Sequence, residues 1–219
     1  MREPLSRERV LAAAVALADA EGVPALTMRR LAASLGVEAM SLYHHLPGKD
    51  GLLDGLVETV AAEVVAAVSR DGETGPDEDW RDTLRRWFLA AREVMLRHPW
   101  APALMGRGKA VPPVVYAYYE MILGTMIGAG FSYRIAHRAL HAFGSMPLGF
   151  VQELFGSGDE GGDDEAELAA MAEALPHMAA MVAAELHAAT DPTLGWCDSQ
   201  VEFQFTLDLL LDGLERYRG

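Results

Sequence analysis

The sequence predicts an all-α protein. Nearly every apolar stretch in its 219 residues recurs at spacings of three and four, which gathers side chains on one helix face. No sustained alternation of apolar and polar residues is bounded by hairpin turns, so strands are not expected. Serine, threonine or aspartate opens several of these stretches and glycine or proline closes them, which is the punctuation of helix ends.

The first helix starts at Ser6, whose hydroxyl can cap free amides while Leu5 and Val10 form a hydrophobic staple. Val10, Leu11, Ala14, Leu17 and Ala18 make its inner face, and Gly22 supplies the left-handed conformation that ends it. Thr27 caps a second helix, stapled by Leu26 and Leu31, that stops at Gly36 after two turns. A third runs over 39–45 and is blocked by Pro47-Gly48. Three short helices joined this tightly form a helix-turn-helix unit. From Asp50 the pattern Leu52, Leu53, Leu56, Val57, Val60, Val64 and Val68 carries a longer helix away from it.

Residues 71–79 contain no apolar side chain and read as a surface loop. The next helix covers 80–98, burying Leu84, Trp87, Phe88, Ala91 and Met95, and must end before Pro99. A connection bearing proline and glycine leads to a helix over 114–128. Ser132 caps another that reaches about 155 and bends at Pro147. An acidic loop at 156–164 precedes a helix over 165–189, interrupted by Pro176, and a last helix over 198–217. The expected organisation is a head of residues 1–50, a connecting helix over 50–70 and a helical body of residues 71–219.

Composition narrows the function. The net charge of −14 argues against a nucleic-acid partner until it is divided along the chain: residues 1–50 hold six basic and six acidic side chains, so the whole excess lies in residues 51–219. The 51% of apolar residues excludes a wholly disordered chain. A single cysteine, Cys197, cannot form an intrachain disulfide, which fits a reducing compartment. The charged N-terminus is not a secretory signal, so a cytoplasmic location is expected. The most apolar segment, 110–133, carries Pro112, Pro113 and Glu120, and suits a buried helix better than a membrane span.

The segment 26–53 carries Thr27, the run from Arg29 to Ala32, Leu35-Gly36-Val37, Leu42-Tyr43, His45 and Lys49 before Leu52-Leu53. Some ten positions at fixed spacing make this a specific pattern. It resembles the DNA-binding segment of the tetracycline-repressor (TetR) family of transcriptional regulators, closely over residues 6–60. The resemblance implies a DNA-reading head, with Tyr43 and Lys49 matching positions that contact the backbone.

The residues support that role by their own chemistry. Thr27, Arg29 and Arg30 sit at a helix start, where free amides and the dipole favour phosphate, and an arginine there can extend to a guanine edge. Ala39, Met40 and Ser41 are short or apolar, suited to a thymine methyl and one hydroxyl hydrogen bond. Tyr43, His44, His45 and Lys49 are phosphate donors. The third helix has no long amide or arginine, so specificity is expected to lean on Arg29, Arg30 and groove shape.

Beyond residue 70 the resemblance is looser, carried by Arg97-His98-Pro99-Trp100 and Ala129-Gly130-Phe131-Ser132. It implies a body that binds a small molecule and pairs with a second copy. Trp100, Met105, Tyr116, Tyr119, Met126, Phe143 and Met146 are candidates to line an apolar pocket, with His137 and His141 as its polar groups. Those two histidines stand four apart, a spacing that can bind metal, but no third ligand accompanies them; neither metal nor other cofactor is expected. The family's founding member holds its drug through a metal ion, and the histidine of its central connection has no match in 101–110, so tetracycline is not the expected effector.

The last helix shows two apolar stripes, Phe203, Leu207, Leu210, Leu211 and Leu214 beside Val201, Phe205 and Leu209, where one suffices for a monomer core. With Ala136, Ala139, Ala142, Gly144 and Gly149 on the helix from Ser132, they predict a homodimer suited to a palindromic operator. The reading is a ligand-responsive regulator, a repressor released by a small apolar or aromatic effector. Two alternatives come from other classes: a helical-bundle enzyme using His137, His141 and Glu153, which is disfavoured because the sequence shows no nucleophile–base pair, phosphate loop or two-carboxylate pattern, and a protein-interaction module.

Overall fold

The computed structural model describes residues 4–70, 79–106, 111–149, 173–185 and 199–219, all helix, turn or short connection. Helix α1 spans Arg7–Glu21, and the Ser6 hydroxyl accepts from the Arg9 amide at 3.2 Å. Gly22 ends it at φ 77°, ψ 159°, a positive-φ conformation open to glycine but extended in ψ where a left-handed residue was expected. A 3-10 turn, Val23–Ala25, then leads into α2, Met28–Leu35. Gly36 closes α2 in the left-handed region at φ 67°, ψ 38°, with its own amide on the Ala33 carbonyl and the Val37 amide on that of Ala32.

Helix α3 is shorter than the sequence suggested. It spans Ala39–Leu42, and the chain continues to Leu46 in tight turns, with the Tyr43 and His45 amides reaching back three residues and the Leu46 amide four. Leu42 and Leu46 are both buried and hold this coil against the head. Helix α4, Gly48–Arg70, follows at once.

The body comprises α5 (Trp80–Arg97), α6 (Ala101–Met105), α7 (Pro113–Gly128), α8 (Tyr133–Gly149), α9 (Pro176–Glu185) and α10 (Ser199–Glu215). Helix α6 replaces part of the expected irregular connection, with Pro102 tolerated in its first turn. The stretches 71–78 and 156–164 lie outside the described residues, as do Cys197 and Glu153.

Two apolar cores meet along α4. Leu52 and Leu56 belong to the head core with Val10, Leu26, Leu31 and Leu42, whereas Val60, Val64 and Val68 belong to the body core with Leu84, Phe88, Ile122 and Phe143. One helix therefore carries both units, and the expected boundary at residue 50 falls within the first turn of a shared strut. Inside the body, α10 is fixed to α5 by the buried Arg92, whose guanidinium meets Gln200 Oε1 at 3.0 Å and Ser199 Oγ at 2.9 Å and lies over the Phe203 ring. Arg85 adds an ion pair to Asp208 at 2.9 Å.

Candidate nucleic-acid interface and ligand cavity

The head presents the start of α2 and the outer side of α3 together. The Thr27 hydroxyl accepts from the Arg30 amide at 3.2 Å, and buried Leu26 and Leu31 fix the angle at which the chain enters α2. Thr27, Arg29 and Arg30 are exposed there. Arg29 has no carboxylate partner among the described residues, while Arg30 pairs with Glu21, so the two arginines are not equivalent.

On α3, Met40 is 72% exposed, an apolar side chain held in water by a coil whose inner side is Leu42 and Leu46. Ala39 and Ser41 beside it are half-buried, Tyr43 and His44 are exposed, and His45 is half-buried. Lys49, exposed in the first turn of α4, has no acidic partner among the described residues. All ten side chains expected to meet DNA are thus at least partly accessible on the head. The arrangement can offer cations and hydroxyls to phosphate, and a thioether to a base-edge methyl.

Behind the head, a partly open cavity of about 350 Å³ lies between α4, α5, α6, α7 and α8. Val57, Ala61 and Val64 of α4 form one wall; Phe88 and Met95 of α5, with Phe143 of α8, form another. Phe88 and Phe143 stack at 4.6 Å, and Tyr118 of α7 meets Phe88 edge-on at 6.4 Å.

Residues 74–218 match the tetracyclin repressor-like C-terminal domain, and residues 10–56 match the bacterial regulatory proteins of the tetR family. The chain belongs to the TetR family. Among its relatives, the class C tetracycline repressor of Escherichia coli is 32% identical over 220 residues, covering 98% of this chain and 92% of that protein. A transcriptional regulator of the helix-turn-helix type from Saccharopolyspora erythraea is 38% identical over 127 residues, 58% of this chain. The chain spans 51% of the length of that regulator and 34% of that of a Streptomyces coeruleorubidus repressor. A crystal structure of a possible TetR-family regulator from Streptomyces coelicolor superposes with a TM-score of 0.76 at 30% identity, covering 97% of this chain and all of that one.

Within this TetR-family body, the sequence-expected pocket residues divide. Met105, Tyr119 and Phe143 line the cavity. Met126 and Met146 are buried in the body core away from it, and Tyr116 is 59% exposed on the outside of α7. His137 and His141 lie on the exposed side of α8, their Nε2 atoms 3.3 Å apart, and do not face the cavity. Phe88 and Tyr118 were missed as lining residues. Tyr118 had a signal: it shares a four-residue repeat with the buried Ile122 and Met126, and so points inward.

Trp100 lies elsewhere too. It packs against both apolar cores, and its indole Nε1 donates to Asp19 Oδ1 of α1 at 2.6 Å. Beside it, buried His98 places Nδ1 2.8 Å from the same Asp19 oxygen and Nε2 2.9 Å from Glu63 Oε2 of α4. Arg97 also pairs with Glu63. Partial burial works to raise the Glu63 pKa, but the hydrogen bonds and charges of Arg97 and His98 outweigh it and hold the carboxyl below its ordinary value. The Arg97-His98-Pro99-Trp100 motif is therefore a joint between head and body in this TetR-family chain, not part of the pocket.

Proposed function

We propose that this protein is a ligand-responsive, DNA-binding transcriptional regulator, and specifically a repressor released from a palindromic operator by a small apolar or aromatic molecule. The observation that carries the reading is the accessible surface of α2 and α3. Arg29 and Lys49, without an acidic partner among the described residues, flank Met40, Ser41 and Tyr43 on a coil anchored by Leu42 and Leu46. In this account Thr27, Arg29, Arg30, Tyr43, His44, His45 and Lys49 hold phosphates while Ala39, Met40 and Ser41 face bases. Residues 1–50 act as the reading head and 71–219 as the sensing body, with α4 joining them.

The cavity supports the sensing half. Its apolar walls suit an apolar ligand, and α4, which forms one wall, also carries the head core, so a ligand that moves α4 moves the head. Such a ligand must favour the DNA-incompetent arrangement or it shifts nothing. Relatives give the same direction: an Acinetobacter baumannii TetR variant is known in complex with minocycline.

Two copies are needed to read a palindrome. Val201, Phe205 and Leu209 form an exposed apolar stripe on α10, with Phe205 60% exposed, which supports a homodimer through that helix. Of the small residues on α8, Ala136 and Ala139 are buried within the monomer's own core, while Ala142 and Gly144 are exposed and supply the part of that helix free to meet a second copy.

The test is retention of genomic DNA fragments by the purified protein, followed by sequencing. Enrichment of one inverted repeat is the expected result; uniform recovery of all fragments would contradict a sequence-specific regulator.

A further inference from the structure

Outside the cavity, two imidazoles meet on the exposed side of α8. His137 and His141 stand one helical turn apart, and their Nε2 atoms are 3.3 Å from each other. Metal was not expected at this pair, because no third ligand accompanies it in the sequence. The distance changes that reading. A tetrahedral zinc ion bonds imidazole nitrogen at about 2.0–2.1 Å, which places two such nitrogens about 3.3–3.4 Å apart. Adjacent corners of a square or octahedral shell lie closer together, at about 2.8–3.0 Å, so the observed spacing fits the tetrahedral ion.

The chemistry of the pair is suited to a cation. Between two facing imidazole nitrogens, one donates and the other accepts, so a lone pair is already directed between the rings. Replacing the shared proton by a metal ion turns both nitrogens into ligands at once. The helix beneath is fixed: Ala136, Ala139 and Phe143 on its inner face are buried in the body core, which holds the two Cβ atoms at a constant separation.

We propose that His137 and His141 form a two-imidazole chelate for zinc on the outside of α8, with water in the remaining positions. Among the described residues, no cluster of three or more histidine, cysteine, aspartate or glutamate side chains is poised for a metal, so this is a labile site. Arg134 and Arg138, exposed on the same helix, oppose a cation by their charge. An ion must therefore gain enough from imidazole to overcome that repulsion, which zinc does and the oxygen-seeking magnesium ion does not. The proposal does not depend on the regulator reading.

Calorimetric titration of the tag-free full chain with zinc chloride, in a buffer that does not chelate, tests it. Half the ligand set of a structural zinc site points to a dissociation constant of about 1–200 µM, with at most one ion per chain. His137→Ala and His141→Ala should each weaken zinc by about tenfold or more. Alanine is the better helix former and both side chains are exposed, so each variant should keep the helical circular dichroism signal and melting temperature of the parent. His177→Ala, which removes an exposed imidazole on α9, should leave zinc binding unchanged. Magnesium chloride should give no saturable heat.

No saturable zinc binding up to about 1 mM, zinc affinity that survives either substitution on α8, an equal loss in His177→Ala, or magnesium binding of the same strength would each overturn the assignment.

Discussion

His98 Nδ1 stands 2.8 Å from Asp19 Oδ1, joining the end of α5 to the last turns of α1 across 79 residues of sequence. The same oxygen accepts from Trp100, and the other imidazole nitrogen meets Glu63 on α4. Three helices that carry the head, the strut and the body are thus held at one imidazole. An imidazole with hydrogen on both nitrogens satisfies both carboxylates at once.

Removing Asp19 leaves His98 Nδ1 and Trp100 Nε1 without their shared acceptor. Asp19→Ala is expected to lower unfolding stability by about 1–3 kcal/mol, read as a lower denaturant midpoint. An unchanged midpoint would show that the joint contributes nothing to the fold.

Glu63 makes the joint sensitive to acid. Its folded carboxyl sits below the ordinary value of 4.5, so the stability it adds is complete above that value and is lost as pH falls through the lower folded value. Thermal melts between about pH 6 and pH 3 should therefore decline more steeply for the parent than for Glu63→Gln, which should be the less stable of the two at neutral pH. Parallel declines would contradict this role.

Arg29 and Arg30 should differ at the DNA. Arg30 already spends part of its charge on Glu21, whereas Arg29 has no such partner among the described residues. Arg29→Ala is expected to weaken operator binding by about tenfold or more, and Arg30→Ala by less. If Arg29 also reads a base, its loss reduces specific binding more than binding to unrelated DNA; equal loss on both would leave it a phosphate contact alone.

How far the sequence revealed these features depended on whether the signal was local. The caps at Ser6 and Thr27 and the stop at Gly36 were legible because the residues that satisfy the free amides and carbonyls lie within a few positions. That the ten head residues share one accessible surface was legible for the same reason, since that surface is built from consecutive turns. The length of α3 was not, because Leu42 and Leu46 must both reach the head core, and that long-range demand tightens the coil after Leu42. Nor was the role of Trp100: its partners, Asp19 and the two cores, are brought together only by the fold. Helical periodicity showed which residues face inward but not which of those meet a cavity, so Met126 and Met146 were grouped with Phe143.

The exposed stripe on α10 predicts the assembly state. Phe205→Asp should convert a dimer to a monomer in sedimentation velocity at micromolar concentration while the helical circular dichroism signal is kept, because Phe205 touches solvent rather than the monomer core. A parent protein that sediments as a monomer would contradict the interface.

The central claim, that the head binds DNA through its own few cations on an otherwise acidic chain, is tested most directly by fluorescence anisotropy on the enriched operator fragment across a salt series. The account predicts affinity falling steeply and linearly in log–log form, with Lys49→Ala reducing the slope by about one. Binding that is indifferent to salt, or none at low salt, would contradict it.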